Sequence, residues 1–358
     1  MTESTRQNIQ PDDLKAFCTA AMVKAGLSQE DAALSAHVFV TTDTWGTFTH
    51  GTRQIRGLMQ NARRGRLVAT AKEKIVADGP SWAIIDACDG MPPSISYRAV
   101  ELAVAKARQS GMCYIGIRGS SHYGAAGFYA NMIAENDMLG LSMCNVEPCM
   151  TVPGGKSRVL GTNPIAYAAP TGTDRTVMLD IATSAVAATK IFAAKNEGRE
   201  IPDTWLVDEE GIPTTDPTEF PEKGAQLPMA GHKGYGLAVL VELLTATLSG
   251  AAMMSSVQSW VADTDEPSNQ GHAFVAIDVG AMMPIEEFHA RMDVMCEEIK
   301  SASPAKGGTI FLPGEIEWNN REQALAEGIV MPEDVLISLR GLAEDSGLDP
   351  ADFNLDLG

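Results

Sequence analysis

Between residues 83 and 144 the chain alternates short apolar runs with amphipathic ones, and this alternation constrains the fold more than any other feature. Ala83–Ala87 reads as a strand, and Tyr97–Arg108 as a helix stopped by Ser110-Gly111. Met112–Ile117 reads as a strand, Ala125–Glu135 as a helix and Leu139–Cys144 as a strand. Such alternation predicts sheet and helices in one mixed unit. Further strands are predicted at Ile165–Ala169, Val177–Ile181, Ala273–Val279 and Thr309–Leu312, and helices at Ala185–Ala194, Gly236–Leu248, Glu286–Lys300 and Pro332–Glu344. The first 65 residues look helical. Asp12–Lys24 places apolar residues at helical spacing, Ser28-Gln29-Glu30-Asp31 forms a capping-box pattern before Ala32–Val40, and Arg53–Ala62 follows a break at Gly46–Gly51. Five prolines within residues 198–230 predict loops there.

With 27 basic and 46 acidic residues among 358, the formal net charge is −19, which repels phosphate backbones and argues against nucleic acid or an anionic membrane as partner. The most apolar long stretch, Tyr235–Met254, carries Glu242 at its middle, so it reads as a buried helix rather than a membrane span. Met1–Gln10 is polar, without the apolar core of a secretory signal. Six cysteines are scattered and form no C-x-x-C, the pattern of reduced thiols in a cytoplasmic protein.

The common phosphate-binding and hydrolase signatures are missing. No G-x-G-x-x-G occurs, Met150 stands where a P-loop before Gly155-Lys156-Ser157 would need glycine, and Gly119-Ser120-Ser121-His122 fails as a nucleophile elbow. Three histidines have unusual neighbours. His50 lies in Thr49-His50-Gly51 at a helix break, His122 lies between a predicted strand and helix, and His232 opens the Gly231–Gly236 turn. A loop histidine facing a cleft can give or take a proton near neutral pH; the blander role is a hydrogen-bonded structural one, which is the reading for His37 and His289. The three loop histidines are too widely spaced, and lack paired ligands, for a zinc site, so no metal is assigned. Arg53 follows His50 by three residues and could fork onto a carboxylate, whereas Arg63, Arg64 and Arg66 read as a solvated or ion-paired face. Lys233 could meet a phosphate or carboxylate, with Gly231 and Gly234 allowing close backbone approach.

Gly119–Ala126 (GSSHYGAA), Pro153-Gly154-Gly155, Leu160–Pro164 (LGTNP), Asp180–Ser184 (DIATS), His232–Leu237 (HKGYGL) and Leu312–Glu315 (LPGE) occur in that order. Together they resemble the malate/L-lactate dehydrogenase family of the non-Rossmann type, whose relatives include ureidoglycolate, sulfolactate and diketogulonate dehydrogenases and Δ1-piperideine-2-carboxylate reductases. The resemblance spans nearly the whole chain. It implies a mixed α/β, non-Rossmann fold that binds NAD or NADP as a homodimer. The division it suggests is a helical segment 1–70 carrying Thr49-His50-Gly51, a mixed-sheet nucleotide-binding domain 71–315, and a C-terminal helical segment 316–358 packing with the first.

The resemblance also implies roles. His50 would be the proton donor, oriented by Thr49, with His122 polarising the substrate or exchanging roles with it. Cofactor-contacting segments match Gly161, Thr162, Asn163 and Pro164; Asp180, Ile181, Ala182, Thr183 and Ser184; His232, Lys233 and Gly234; and Pro313, Gly314 and Glu315, with Asn145 beside them. Members often carry an arginine four residues after the family histidine, a place held here by Gln54. A one-residue shift on a helix turns a side chain by ~100°. Either Arg53 reaches in by a local adjustment or the carboxylate clamp differs. The expected reaction is hydride transfer between nicotinamide and a small 2-hydroxy or 2-oxo carboxylic acid, with no nucleic-acid or membrane partner. Reduction of a cyclic imine carboxylate is one alternative, and a cofactor-binding homologue without catalysis is another.

Overall fold

The computed structural model describes residues 8–262 and 264–358, so most of the polar stretch Met1–Gln10 lies outside the described residues. A seven-stranded mixed sheet organises the molecule. Its strands are β2 (Lys74–Gly79), β3 (Trp82–Asp86), β4 (Met112–Ser120), β5 (Met138–Cys144), β6 (Ile165–Ala169), β7 (Val177–Ile181) and β11 (Gln270–Asp278). They lie in the order β2-β3-β4-β11-β5-β6-β7, and only the β3–β4 pair is parallel. The late strand β11 inserts between β4 and β5 and is buried along nearly its whole length. It is covered on both faces, which explains its unbroken apolar run, Ala273–Ile277.

One face carries α4 (Pro92–Ser110) and α5 (Ala126–Ala134). Ala99, Ala103 and Ala107 recur every fourth residue on α4, so that helix lies close on the sheet. It starts five residues before the predicted Tyr97 because Pro92 and Pro93 occupy its first positions, where the missing N–H costs nothing. The other face carries α7 (His232–Glu242), which runs on into a π-helical turn, Leu243–Thr247.

A second core joins the two ends of the chain. It gathers α1 (Pro11–Lys24), α2 (Gln29–Thr44), α3 (Ile55–Arg63) and α10 (Glu333–Ser346) around Leu14, Phe17, Phe39, Leu58 and Leu339. Strand β1 (Asn8–Ile9) pairs with β12 (Ile329–Val330). Ser28 caps α2 as the capping-box pattern predicts, accepting from the Asp31 N–H. Burial raises the Asp31 carboxyl, but bonds from Lys72, Ser28 and Arg98 outweigh it and set the pKa to about 2. A carboxylate depressed in the folded state stabilises above its ordinary range and loses that contribution as pH falls toward 2. Asp31→Asn is therefore expected to cost about 2 kcal/mol near neutral pH and progressively less in acid, read as urea midpoints that draw together below about pH 4 and converge only toward pH 2.

Some segments differ from the sequence reading. The proline-rich stretch holds a small sheet of β8 (Leu206–Val207), β9 (Pro213–Thr214) and β10 (Ala225–Gln226), following α6 (Ala188–Asn196). The predicted strand at Thr309–Leu312 is not one: Gly307-Gly308 and Pro313 bracket it, and the neighbouring contact is a single bond from the Met178 N–H to the Pro313 carbonyl. Helix α8 (Ile285–Ser301) is as predicted, whereas α9 (Glu315–Glu327) is new. Only Trp318 and Ala324 of α9 are buried, so its apolar stripe is faint. The stretch beginning at Tyr235 is helical but not buried throughout, because Leu237, Leu240, Leu243 and Leu248 all reach solvent. No helix of the described residues is long and apolar enough to cross a membrane.

Candidate active site

The site is built where the helical end-unit meets the C-terminal end of β4. After α2 the chain makes two 3-10 turns, Phe48–His50 and Thr52–Gln54, hinged at Gly51. Asp43, buried near the end of α2, holds this corner by accepting from the Thr52 N–H (3.1 Å) and hydroxyl (2.6 Å). A Cβ on residue 51 would stand 1.7 Å from Asp43 Oδ1, so only glycine lets the carboxylate in. Burial pushes the Asp43 carboxyl up to about 7 although both Thr52 bonds pull it down. The Thr49 hydroxyl lies 2.9 Å from His50 Nδ1, and the Gln54 amide donates to the Thr49 carbonyl, closing the loop.

His122 leaves the end of β4, and its ring centre lies 5.6 Å from that of His50. The structure thus joins two histidines far apart in sequence. A residue not singled out from the sequence completes the group: the Trp260 indole stacks on His122 at 4.6 Å, nearly parallel at 8°. His122 Nε2 is cut off from solvent and has no hydrogen-bond partner. His50 stays exposed, yet the surrounding walls strip water from the ring and lower its pKa. Burial, then His50 and His272, hold His122 well below the ordinary imidazole range. Both rings are therefore neutral at neutral pH, each able to donate from one nitrogen and accept at the other. Behind them His272 stacks on Tyr123 at 4.2 Å, meets the Ser120 hydroxyl and is pushed by burial to about 3, a structural role.

The substrate candidates are tied elsewhere. Arg53 pairs with Asp334 on α10, and its carbonyl accepts from Ser338. Gln54 turns back to Thr49 as described. Arg66 departs most from expectation. It is not on a solvated face but 2 % exposed, donating to the carbonyls of Ser259, Trp260, Ala262 and Glu266 and to Asn61.

The cofactor candidates fall into groups. Asn145 and Asn163, both buried, spend their amides on the Glu242 carboxylate, and Asn163 also bonds the Ala238 carbonyl. The Thr162 carbonyl accepts twice from Thr183 (2.8 Å each), joining Gly161–Pro164 to Asp180–Ser184. Ile181 and Ala182 are half-buried within that turn, and the Ser184 hydroxyl bonds the Val186 carbonyl. Asp180 accepts from the Gly127 N–H at the start of α5 (2.7 Å), and desolvation raises its carboxyl to about 6. His232 and Lys233 are exposed at the start of α7, whereas Gly234 is buried against Met229. Pro313, Gly314 and Glu315 pass beside Met178 of β7; Glu315 is paired with Lys300 and borders a cavity of about 240 Å³ that Arg175 and Trp318 also line. Another cavity, about 310 Å³, lies along Thr151–Lys156 and Val207–Gly211, and neither His50 nor His122 lines it. Among the described residues no group of three or more His, Cys, Asp or Glu could hold a metal ion.

The sequence points to no role at this site for Trp260 or Asp43, reads Arg66 as a surface charge and Glu242 only as the charge within an apolar helix. Trp260 sits in a polar, aperiodic loop, where an isolated tryptophan was the sole hint.

Comparison with known proteins shows the family of the chain. The family described as malate/L-lactate dehydrogenase matches residues 9–340. The malate dehydrogenase of Pyrococcus horikoshii is 36% identical over 95% of this chain and 96% of its own length. The solved sulfolactate dehydrogenase of Methanocaldococcus jannaschii superposes with a TM-score of 0.90 at 34% identity, covering 98% of this chain and 100% of that one. The Δ1-piperideine-2-carboxylate reductase of Pseudomonas syringae superposes with a TM-score of 0.84 at 30% identity, over 94% of this chain and 100% of that one.

Proposed function

Since the chain belongs to the malate/L-lactate dehydrogenase family, we propose that His50 and His122 are the proton-handling pair of a hydroxy-acid dehydrogenase using NAD or NADP. The observation that carries this is the 5.6 Å approach of the two imidazoles at one corner of the sheet. Nicotinamide, when bound, supplies or accepts the hydride at a carbon beside a carboxylate. The protein handles the proton and the charge. In the reducing direction negative charge grows on the substrate oxygen. Thr49 engages His50 Nδ1 and leaves Nε2 as the proton-giving nitrogen. His122, kept neutral, donates from its unpartnered Nε2 to the same oxygen, a preorganised donor of the oxyanion-hole kind.

The carboxylate falls to the turn that bears Arg53 and Gln54. The Arg53–Asp334 pair is 38% and 53% exposed, so a substrate carboxylate competes with an interaction worth only about 0–1 kcal/mol. Gln54, neutral, offers a hydrogen bond without charge. That neutral position also suits a cyclic imine carboxylate, which keeps the imine reading as second. Absorbance assays of nicotinamide turnover with malate, lactate and sulfolactate, against their oxo acids and a cyclic imine carboxylate, with each cofactor, test both. Absence of turnover with all of them, while cofactor still binds, would favour a non-catalytic homologue.

The residues present fit a dinucleotide. Open space surrounds Gly231 and Gly236, and exposed His232 and Lys233 stand between them. Arg175 and Lys300 face the cavity beside Pro313 and Glu315. On this reading Gly161–Pro164, Asp180–Ser184, His232–Gly234 and Pro313–Glu315 hold the cofactor, with Asn145 and Asn163 fixing their turns through Glu242. The exposed Leu237, Leu240, Leu243 and Leu248 form an apolar row that suits pairing of two copies. Sedimentation is expected at twice the 38.1 kDa chain mass. Six unpaired cysteines accord with a cytoplasmic setting.

A further inference from the structure

Trp260 lies outside any regular element, at the margin of the end-unit core, yet buried side chains tie down the backbone of its loop. The buried Arg66 guanidinium donates to the carbonyls of Ser259 (2.6 Å), Trp260 (3.3 Å), Ala262 (2.9 Å) and Glu266 (2.9 Å). Asn61 Nδ2 adds a bond to the Trp260 carbonyl at 2.8 Å, and the Ser259 hydroxyl donates to Glu147 at 2.6 Å. Burying a guanidinium is costly, and here that cost is met by bonds whose shared target is the backbone on both sides of one indole. The ring itself lies flat on His122 and above Gly57, where a Cβ would approach Trp260 to 3.2 Å. Small at 57 and large at 260 are thus matched, and the indole is pressed toward the imidazole.

We infer that Trp260 is a positioning residue that fixes the plane of His122, and that Arg66 is the anchor that holds it there. The inference rests on His122 acting on the substrate. An imidazole free to turn about its side-chain bonds would spread Nε2 over many directions. A parallel indole on one face leaves the ring one plane and keeps water from Nε2. The consequence belongs to the transition state, because a misaimed donor costs rate more than ground-state binding.

The test uses the full-length enzyme with three substitutions, Trp260→Phe, Trp260→Leu and Trp260→Ala, plus Arg66→Met. Phenylalanine retains a flat face and is expected to keep most of kcat. Leucine and alanine are expected to lower kcat by about tenfold with KM little changed. Arg66→Met is expected to follow them in direction. Independently of turnover, mass-spectrometric mapping of diethyl pyrocarbonate labelling should show His122 acylated faster in Trp260→Leu and Trp260→Ala than in the parent, with His50 unchanged. Leucine performing as well as phenylalanine in both kcat and labelling would overturn the inference, as would a change confined to KM. An inactive parent enzyme would instead count against the functional reading, and the labelling rates would still decide the positioning role.

Discussion

Replacing His50 with alanine is expected to lower kcat by ~10²–10⁴-fold while the fold and cofactor binding survive. Two arguments set that size. The residue is exposed overall and lies outside the hydrophobic cores, so its removal leaves no cavity among packed apolar side chains. The chemistry, by contrast, needs a proton moved at the substrate oxygen, and the neighbouring ring cannot take over: burial and the two nearby histidines hold His122 well below the ordinary imidazole range, so it takes up a proton less readily than His50. The pH dependence carries a sign. Oxidation of the hydroxy acid needs neutral His50, so it fails as pH falls through a pKa lowered from the ordinary 6.5. Reduction needs the protonated ring and fails as pH rises through the same value. In His50→Ala both limbs should vanish from kcat/KM. Parent-like turnover in that variant would remove His50 from the mechanism and leave His122 as the sole candidate.

Why His50 and His122 were legible in the sequence, and Trp260 was not, follows from the kinds of signal involved. Both histidines sit where a regular pattern stops: the break after α2 and the exit from β4. A chain that interrupts an apolar period with His-Gly or His-Tyr-Gly marks a corner, and corners at strand ends face clefts. Most helices are legible because each buries one face at a fixed period, and the central strands because they are short apolar runs bounded by turn residues. Edge strand β2 was not, because Ile75 and Val76 stand in solvent and no alternation survives. Arg66 looks like surface charge because charge clusters usually lie there, and nothing local says that four carbonyls from a loop some 200 residues later surround it. Asp43 was silent because its partners, Thr52 and Gly51, become neighbours only after the two 3-10 turns close. The row from Leu237 to Leu248 read as core because apolar content alone cannot separate a face turned inward from one turned toward a second copy.

The second large effect is expected at Glu242, whose charge interrupts that apolar row. Its carboxylate is 6% exposed and accepts from Asn145 Nδ2 (3.2 Å), Asn163 Nδ2 (2.9 Å) and the Met254 N–H (2.7 Å). One side chain thus ties the end of β5, the Gly161–Pro164 turn and the segment entering the Trp260 loop to α7. Glu242→Ala leaves three donors facing a void. Each buried donor without a partner costs about 1–3 kcal/mol, and breaking a buried charged network costs about 3–5 kcal/mol in all. For a chain of this length that lowers Tm by about 5 °C. Glu242→Gln keeps an acceptor of the same shape but turns an amide N–H₂ toward one of those donors, so it should fall between parent and alanine. Because Asn163 and Thr162 share one turn, and Thr162 holds Thr183, loosening it should raise KM for the cofactor more than KM for the acid. The carboxylate reaches no imidazole, so kcat at saturating cofactor should stay near the parent value. A thermal scan and a pair of KM determinations separate these expectations: an alanine variant melting with the parent would mean that the two asparagines find other partners, and a kcat loss as deep as that of His50→Ala would place Glu242 in the chemistry itself.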